Sequence, residues 1–495
     1  MTGNAAEPRP AESTATDPLG FLPWVAAVLA FALALRIPAL NAGLWVDEIE
    51  TLVAFTRLPV FEIPFALESQ NNHVLYSLAA WLTTTLFGES AWSLRLPAVL
   101  FGVASIWAVV QLGRELGTPR QGVLAAVLIA ASSHHVFFSQ SARGYTALMF
   151  TATFATVLLL RLLRAEKPVA RGPWVLYVIL LLATCMAHLT GGAVVAVHGA
   201  IGLVAWIRGR GQGRSVVLGT VAAGVLVVLW LLPGLESLMV GLGGEEEAAV
   251  SGSEWVTLGW LIRETLAGLS AGVPGGWLGI VAGSFVGGVG LVSMVRRDSE
   301  AAVAMVLPPV LILGALVATS HNLWPRFFFF AMGFVVLFAV RGVDVSLRTV
   351  LGGRGPRVTA ALLLLAALGS TLTVPSVWVP KQDYEGAAAW FEEEGLESDE
   401  IAYLSFVYYG FLEYLGAPGT RVDSLEQLRT MERASDRMVV VYTLPENLRL
   451  AQPALWDHVQ QSYDEVRVFP AGVAGAEIVI LESYAADRGP TSEES

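Results

Sequence analysis

Long apolar runs recur through the first 380 residues, separated by short polar segments, and each approaches the ~20 residues that a helix needs to cross a ~30 Å hydrocarbon layer. By that measure the sequence predicts eleven spans, near 21–40, 92–112, 122–138, 145–163, 174–189, 191–207, 216–232, 276–295, 301–320, 327–340 and 359–377. One more apolar segment, 73–87, is short for a span. It reads as an amphipathic helix lying in the interface, as does a second stretch at about 47–57. From about Lys381 the period changes: 383–395 and 423–434 read as helices, and 401–409, 437–443, 467–470 and 477–483 as strands. The expected fold is therefore a polytopic α-helical membrane protein of about eleven transmembrane helices with a small C-terminal extracytoplasmic α/β domain. Its parts are a disordered leader (1–18), a transmembrane domain (19–380) and the α/β domain (381–495).

Composition narrows the function. With 55% hydrophobic and 15% charged residues, the chain is neither an ordinary soluble enzyme nor disordered. The net charge of −12 is unevenly placed: residues 381–495 hold 8 Lys+Arg against 22 Asp+Glu. The one part large enough to fold in water is thus acidic, which argues against a nucleic-acid partner. A single cysteine, Cys185, excludes a disulfide framework, a four-cysteine zinc site and an iron–sulfur cluster.

If 73–87 lies flat, alternate short loops collect Arg114 and Arg120; Arg161, Arg164, Lys167 and Arg171; Arg208, Arg210 and Arg214; Arg296 and Arg297; and Arg341, Arg348, Arg354 and Arg357. The positive-inside rule makes that face cytoplasmic. Loops 41–91, 139–144, 233–275 and 321–326, together with the tail, then lie outside a cell membrane, away from ATP and sugar nucleotides.

Chemistry concentrates in those loops. Asp47 and Glu48 follow the first span at the boundary of water and lipid, where a carboxylate can act as general base or hold a divalent cation. The alternative is structural: Asp47 and Glu50 have the spacing of a capping box for a helix over 48–57. Arg143, Arg263 and Arg326 are cations in loops otherwise poor in them, and their planar forks suit phosphate oxygens; the competing reading is pairing with a nearby acid or snorkelling to lipid head groups. His73 and Tyr76, one turn apart, could face the same site as Asp47, whereas His188 and His198 read as buried helix contacts. The acidic run Glu245-Glu246-Glu247 reads as solvated, and neither an HExxH motif nor a phosphate-binding P-loop occurs.

The order of these features carries a resemblance. A span is followed by Trp45-Val46-Asp47-Glu48, then Asn71-Asn72-His73-Val74-Leu75-Tyr76, then Phe87-Gly88-Glu89-Ser90-Ala91-Trp92-Ser93-Leu94-Arg95-Leu96-Pro97-Ala98, and then Ser139-Gln140-Ser141-Ala142-Arg143-Gly144-Tyr145. This resembles the polyprenyl-phosphate-sugar-dependent integral membrane glycosyltransferases of the GT-C fold, family 39-like, kin of the protein O-mannosyltransferases and aminoarabinose transferases. The likeness is close over roughly 20–165. It implies a hexosyl or pentosyl transferase with Asp47 and Glu48 as catalytic carboxylates. Arg143, Arg326 and Arg263 would bind the donor phosphate, and His73, Tyr76, Gln140 and Tyr145 would line the substrate groove. The implied partners are a polyprenyl-phosphate-linked sugar, an extracytoplasmic protein, lipid or polysaccharide acceptor, and membrane lipids, with a divalent metal ion left open. Two departures stand out: His73-Val74-Leu75-Tyr76 replaces the His-Pro-Pro-Leu-Tyr of relatives, and Ser141 replaces a glutamate. A polytopic secondary transporter or lipid flippase is the alternative reading.

Overall fold

The structure is a computed structural model that describes residues 18–167, 170–243 and 253–484; the predicted leader and the run Glu245–Glu247 lie outside the described residues. Each predicted apolar run falls on helix. Among the described residues seven helical stretches are long and apolar enough to cross a membrane, or eight if the bent pair Pro119–Ala130 and Ser133–Ser139 is one span. The last of the seven, Pro325–Thr371, contains the helices Met332–Leu351 and Gly355–Thr371, and Phe21–Arg36, Val74–Phe87 and Arg171–Ala187 are shorter apolar helices.

Helix Ala91–Glu115 fixes the two ends of the bundle. At ~1.5 Å per residue its first and last turns are ~30 Å apart. Its last residue, Glu115, accepts from Arg161 at 2.9 Å and Arg164 at 3.1 Å, and Arg164 also reaches Asp298. Arg210 pairs with Glu300 and Arg120 meets the Pro356 carbonyl. The arginine-rich loops thus gather at one end. Arg95, in the first turn, lies at the other, and helix Val74–Phe87 stays there: His73 meets the Ala187 carbonyl, Tyr76 meets that of Leu94, and Phe87 packs on Trp92.

The pair Pro119–Ala130 and Ser133–Ser139 bends by 71°. Carbonyls released at such a break need partners where water is scarce. The fully buried Arg36 supplies one, donating to the Ala130 carbonyl at 3.2 Å, to His135 Nδ1 at 2.7 Å and to Ser139 Oγ at 3.0 Å. Nothing in the sequence near residue 132 signals that partner.

The C-terminal part is a five-stranded sheet of order β2-β1-β3-β5-β4, with β1 Ile401–Leu404, β2 Thr420–Val422, β3 Arg437–Tyr442, β4 Asp464–Phe469 and β5 Ile478–Tyr484. β1 runs parallel to β2 and β3, while β5 is antiparallel to β3 and β4. Alternation along the strands gives the sheet two buried faces. Ala402, Leu404, Val440 and Tyr442 pack on helices Leu425–Ala434, Pro445–Ala451 and Pro453–Ser462. Ile401, Tyr403, Val439 and Val441 share a core with Phe391, Ile49, Leu52, Tyr76 and Leu94, so this face continues into the membrane-facing bundle. The strand expected over 401–409 stops at Leu404: Ser405 takes a left-handed φ of 56°, and the chain winds into helical turns through Leu415. A short apolar run fits a buried strand and a buried helix equally well, and here burial against the 46–56 segment selects helix.

Small residues set the closest helix crossing. A Cβ on Gly290 would run into the Phe338 carbonyl, and one on Gly342 into that of Val286, so helices Gly276–Arg297 and Met332–Leu351 meet backbone to backbone. Gly288, on the same helix, has nothing within 4 Å of an added Cβ. Gly290→Leu is expected to destabilise the detergent-solubilised protein by at least ~2 kcal/mol, seen as a lower melting temperature. Gly288→Leu should leave melting unchanged.

Candidate active site

The loop after the opening helix enters helix Val46–Glu50, which continues as a wider turn over Thr51–Thr56. Successive residues on a helix point ~100° apart, so the neighbours Asp47 and Glu48 face different surroundings. Glu48 points inward and is fully buried. Its Oε1 accepts from Arg95 Nε at 2.8 Å, the Ala142 N–H at 2.7 Å and Lys381 Nζ at 3.2 Å, and its Oε2 accepts from Arg95 Nη2 at 2.6 Å. Burial alone would raise its pKa, but Arg95, Lys381 and these hydrogen bonds outweigh burial and hold the carboxyl at about 2. Arg95 continues to the carbonyls of Leu40, Ala42 and Gly43 at 3.0, 2.7 and 3.0 Å, which fastens the loop to the bundle.

Asp47 faces outward, with its side chain 19% exposed, and pairs with Arg143 Nη1. Its carbonyl accepts from Asn71 Nδ2 at 2.9 Å and Thr51 Oγ1 at 2.8 Å. Arg143 Nη2 also donates to Tyr145 Oη at 3.4 Å, while its Nε is buried without a partner. Between these residues Gly144 lets the chain pass, since a Cβ there would lie 2.6 Å from the Ala187 carbonyl and 2.8 Å from His73 Cβ.

That approach orients His73. Its Nδ1 donates to the Ala187 carbonyl at 2.8 Å, which leaves Nε2 as an acceptor, buried and without a partner. Burial pushes the imidazole well below its usual pKa, and the charge of Arg143 pushes it further. Its ring lies 5.0 Å from Tyr145 and 5.2 Å from His188, and His188 lies 5.1 Å from Phe327. Arg326 is the next charge along: its guanidinium sits 4.6 Å over the Trp324 ring, its Nε is buried without a partner, and its field reaches both His73 and His188. Buried polar atoms are rarely left unbonded. Here two donors and one acceptor of that kind share one neighbourhood with a carboxylate at its rim.

The structure thus brings together Asp47, Arg143, His73, Tyr145 and Arg326. It directs three expected site residues elsewhere. Tyr76 is fully buried and donates to the Leu94 carbonyl at 2.5 Å. Gln140 donates to the Arg36 carbonyl at 3.0 Å inside the bundle. Arg263, over half exposed, pairs with Glu254 at 2.9 Å. Glu48 too has both its oxygens bonded within the protein and none of its surface exposed. The helix also starts two residues earlier than the capping reading placed it, at Val46; Glu50 accepts from Ser69 Oγ at 2.6 Å. Among the described residues no group of three or more His, Cys, Asp or Glu side chains could hold a metal ion.

Sequence reasoning missed Arg95, Lys381 and Gln382. Arg95 stood inside a quoted motif without a role, and the other two lie 333 and 336 residues from their partners Glu48 and Val46. Removing one member of a buried ion cluster costs ~3–5 kcal/mol because its partners are left unpaired. Glu48→Gln is therefore expected to lower the melting temperature sharply, and Asp47→Asn to change it little. The stabilisation from Glu48 should be complete above its ordinary value of 4.5 and lost as the pH falls toward about 2, which an acid melting series would read.

The family described as dolichyl-phosphate-mannose-protein mannosyltransferase matches residues 71–233. No curated protein sequence matches the chain. Among solved structures, ArnT from Cupriavidus metallidurans bound to undecaprenyl phosphate superposes with a TM-score of 0.54 at 15% identity, over 95% of this chain and 99% of that one. The Archaeoglobus fulgidus oligosaccharyltransferase in complex with Zn and sulfate gives 0.59 at 14% identity, over 90% and 72%. The oligosaccharyltransferase AglB of the same archaeon, in complex with an inhibitory peptide and a dolichol-phosphate, gives 0.57 at 14%, over 96% and 75%. At such identities the structural likeness is one of fold, and the family match covers the segment that carries His73, Arg95, Arg143 and Tyr145. The chain is an integral membrane protein with the fold of these transferases, and over residues 71–233 its sequence is similar to the mannosyltransferase family.

Proposed function

We propose that the protein transfers a hexosyl or pentosyl group from a polyprenyl-phosphate carrier to an acceptor on the extracytoplasmic side of the cell membrane. The observation that carries this reading is the convergence of Arg143 Nε, Arg326 Nε and His73 Nε2, all buried and unpartnered, beside the Asp47 carboxylate. Two guanidinium donors suit a phosphate, and the neutral imidazole suits a sugar hydroxyl. The relatives in complex with undecaprenyl phosphate and dolichol-phosphate support a lipid-linked donor, and the archaeal enzyme tethered to an acceptor peptide supports a separate acceptor. An apolar groove lined by Leu261, Leu266, Pro309, Val310, Leu313 and Phe328 also includes Pro325, the chain neighbour of Arg326, and would suit a prenyl chain. The gathering of arginine-rich loops at the opposite end supports the outward orientation of the site.

In this mechanism the phosphate accepts from Arg143 Nε and Arg326 Nε. The acceptor oxygen attacks the anomeric carbon on the face opposite the phosphate, the bond to the phosphate oxygen breaks with its electron pair leaving on phosphate, and configuration inverts. The acceptor proton passes to Asp47 as the new bond forms, since a separate transfer from an alcohol to a carboxylate is strongly uphill. Fixed cations in a site with little water stabilise the departing charge by several kcal/mol more than in bulk water. Glu48 positions Asp47 from behind and touches no reactant.

Purified protein given a labelled polyprenyl-phosphate sugar and a cell-envelope extract tests this. Asp47→Asn is expected to lower kcat by ~10²-fold or more with the donor KM little changed. Arg326→Ala should raise the donor KM by about tenfold, roughly one charge-assisted hydrogen bond. Undiminished transfer in Asp47→Asn would overturn Asp47 as the base, and vectorial uptake into proteoliposomes that survives the mutation would favour a transporter.

A further inference from the structure

Lys381 opens the C-terminal domain yet is buried in the bundle, with its side chain 6% exposed. Its ammonium donates to Glu48 Oε1 at 3.2 Å, the Gln140 carbonyl at 2.8 Å and Ser141 Oγ at 2.9 Å, and lies 5.0 Å from the centre of the Phe137 ring. These contacts join the first loop, through Glu48, to the loop that carries Arg143. Gln382, fully buried, turns the opposite way: its Oε1 accepts from the Val46 N–H at 2.6 Å, and its Nε2 donates to Thr443 Oγ1 at 2.9 Å and the Ala476 carbonyl at 2.7 Å. The two consecutive side chains therefore tie the residues flanking Asp47 to the end of β3 and the start of β5.

We propose that the protonated Lys381 is a positioning residue that holds the Asp47 loop and the Arg143 loop in register, so that the C-terminal domain sets the geometry of the active site. The inference rests on the reading of Asp47 as the base. The groups facing the ammonium are Glu48 and Asp47 on the first loop, Arg95 on helix Ala91–Glu115, and the neutral oxygens of Gln140 and Ser141. Of the buried trio, Glu48 stays ionised down to about pH 2 and Arg95, as a guanidinium, keeps its charge. Lys381 is the member that titrates near neutrality: burial lowers it to about 7, while Glu48 and Asp47 pull the other way. Below that pH the clamp is charged; above it the ammonium loses its proton and the hydrogen bond to Glu48 loses its charge.

The test follows transfer from a labelled polyprenyl-phosphate sugar to envelope extract by the full-length protein between about pH 5.5 and 8.5. Wild type is expected to lose kcat as the pH rises through about 7. Lys381→Met should be slower by about tenfold or more at the acid end, as a small misplacement of reacting groups predicts, and independent of pH, so that the two rates converge at the alkaline end. Lys381→Arg, which stays charged throughout, should recover part of the rate and lack the alkaline loss. A purely structural lysine would give Lys381→Met the wild-type pH profile at a uniformly lower amplitude; that result, or an unchanged rate in Lys381→Met, overturns the inference. Asp47→Asn in the same series separates the two claims. If it retains transfer, the reading of Asp47 falls; if it is inactive while Lys381→Met keeps the wild-type profile, only the role of Lys381 falls.

Discussion

The buried carboxylate of Glu48 is the constraint on which the rest of the site depends. An ionised group without solvent is tolerable only when its oxygens are fully bonded, and Glu48 obtains its bonds from three separate parts of the chain: Arg95 of the bundle, the Ala142 backbone beside Arg143, and Lys381 of the C-terminal domain. Those bonds bring the first loop, the loop before helix Tyr145–Arg164 and the sheet domain to one point. The shared apolar core of Ile49, Leu52, Tyr76, Phe391, Tyr403 and Val441 surrounds that point and keeps water from competing for it.

The placement of two adjacent acids then follows from helix geometry. Glu48 faces the protein and is saturated, which frees Asp47 from a structural task and turns it toward Arg143 at the rim. Beyond Asp47 the polar atoms are under-bonded rather than saturated, and they belong to residues of complementary chemistry: two guanidinium donors and an imidazole kept neutral by burial and by the arginines. One carboxylate holds the architecture together and the next faces the under-bonded cluster, with a single residue step separating the two settings.

How much of this was legible depended on sequence distance. The apolar runs marked the helices because lipid demands intrachain hydrogen bonding over a set length, and helices Tyr384–Glu393 and Leu425–Ala434 and strand Arg437–Tyr442 followed their periodicity. The bend after Ala130 escaped notice because its carbonyl is served by Arg36, 94 residues away. Asp47 stood out as one of two adjacent acids after the first span and Arg143 as a cation in loops poor in them, but nothing local pairs residues 96 apart. Spacing on a helix suggested that Tyr76 would accompany His73, whereas the nearby Leu94 carbonyl claimed its hydroxyl. Lys381 looked like the start of a separate domain; its burial beneath the first loop is a fact of tertiary packing alone.

The central claim is that the groove beside Asp47 receives a lipid-borne phosphate. A cryo-electron microscopy structure of the full-length protein in nanodiscs with bound polyprenyl phosphate would test it most directly. The account predicts phosphate density within hydrogen-bonding distance of Arg143 Nε and Arg326 Nε, with Asp47 at the open side of the phosphorus. Phosphate bound at the arginine-rich end, or a site in which Asp47 is sealed from any lipid-accessible opening, would contradict it.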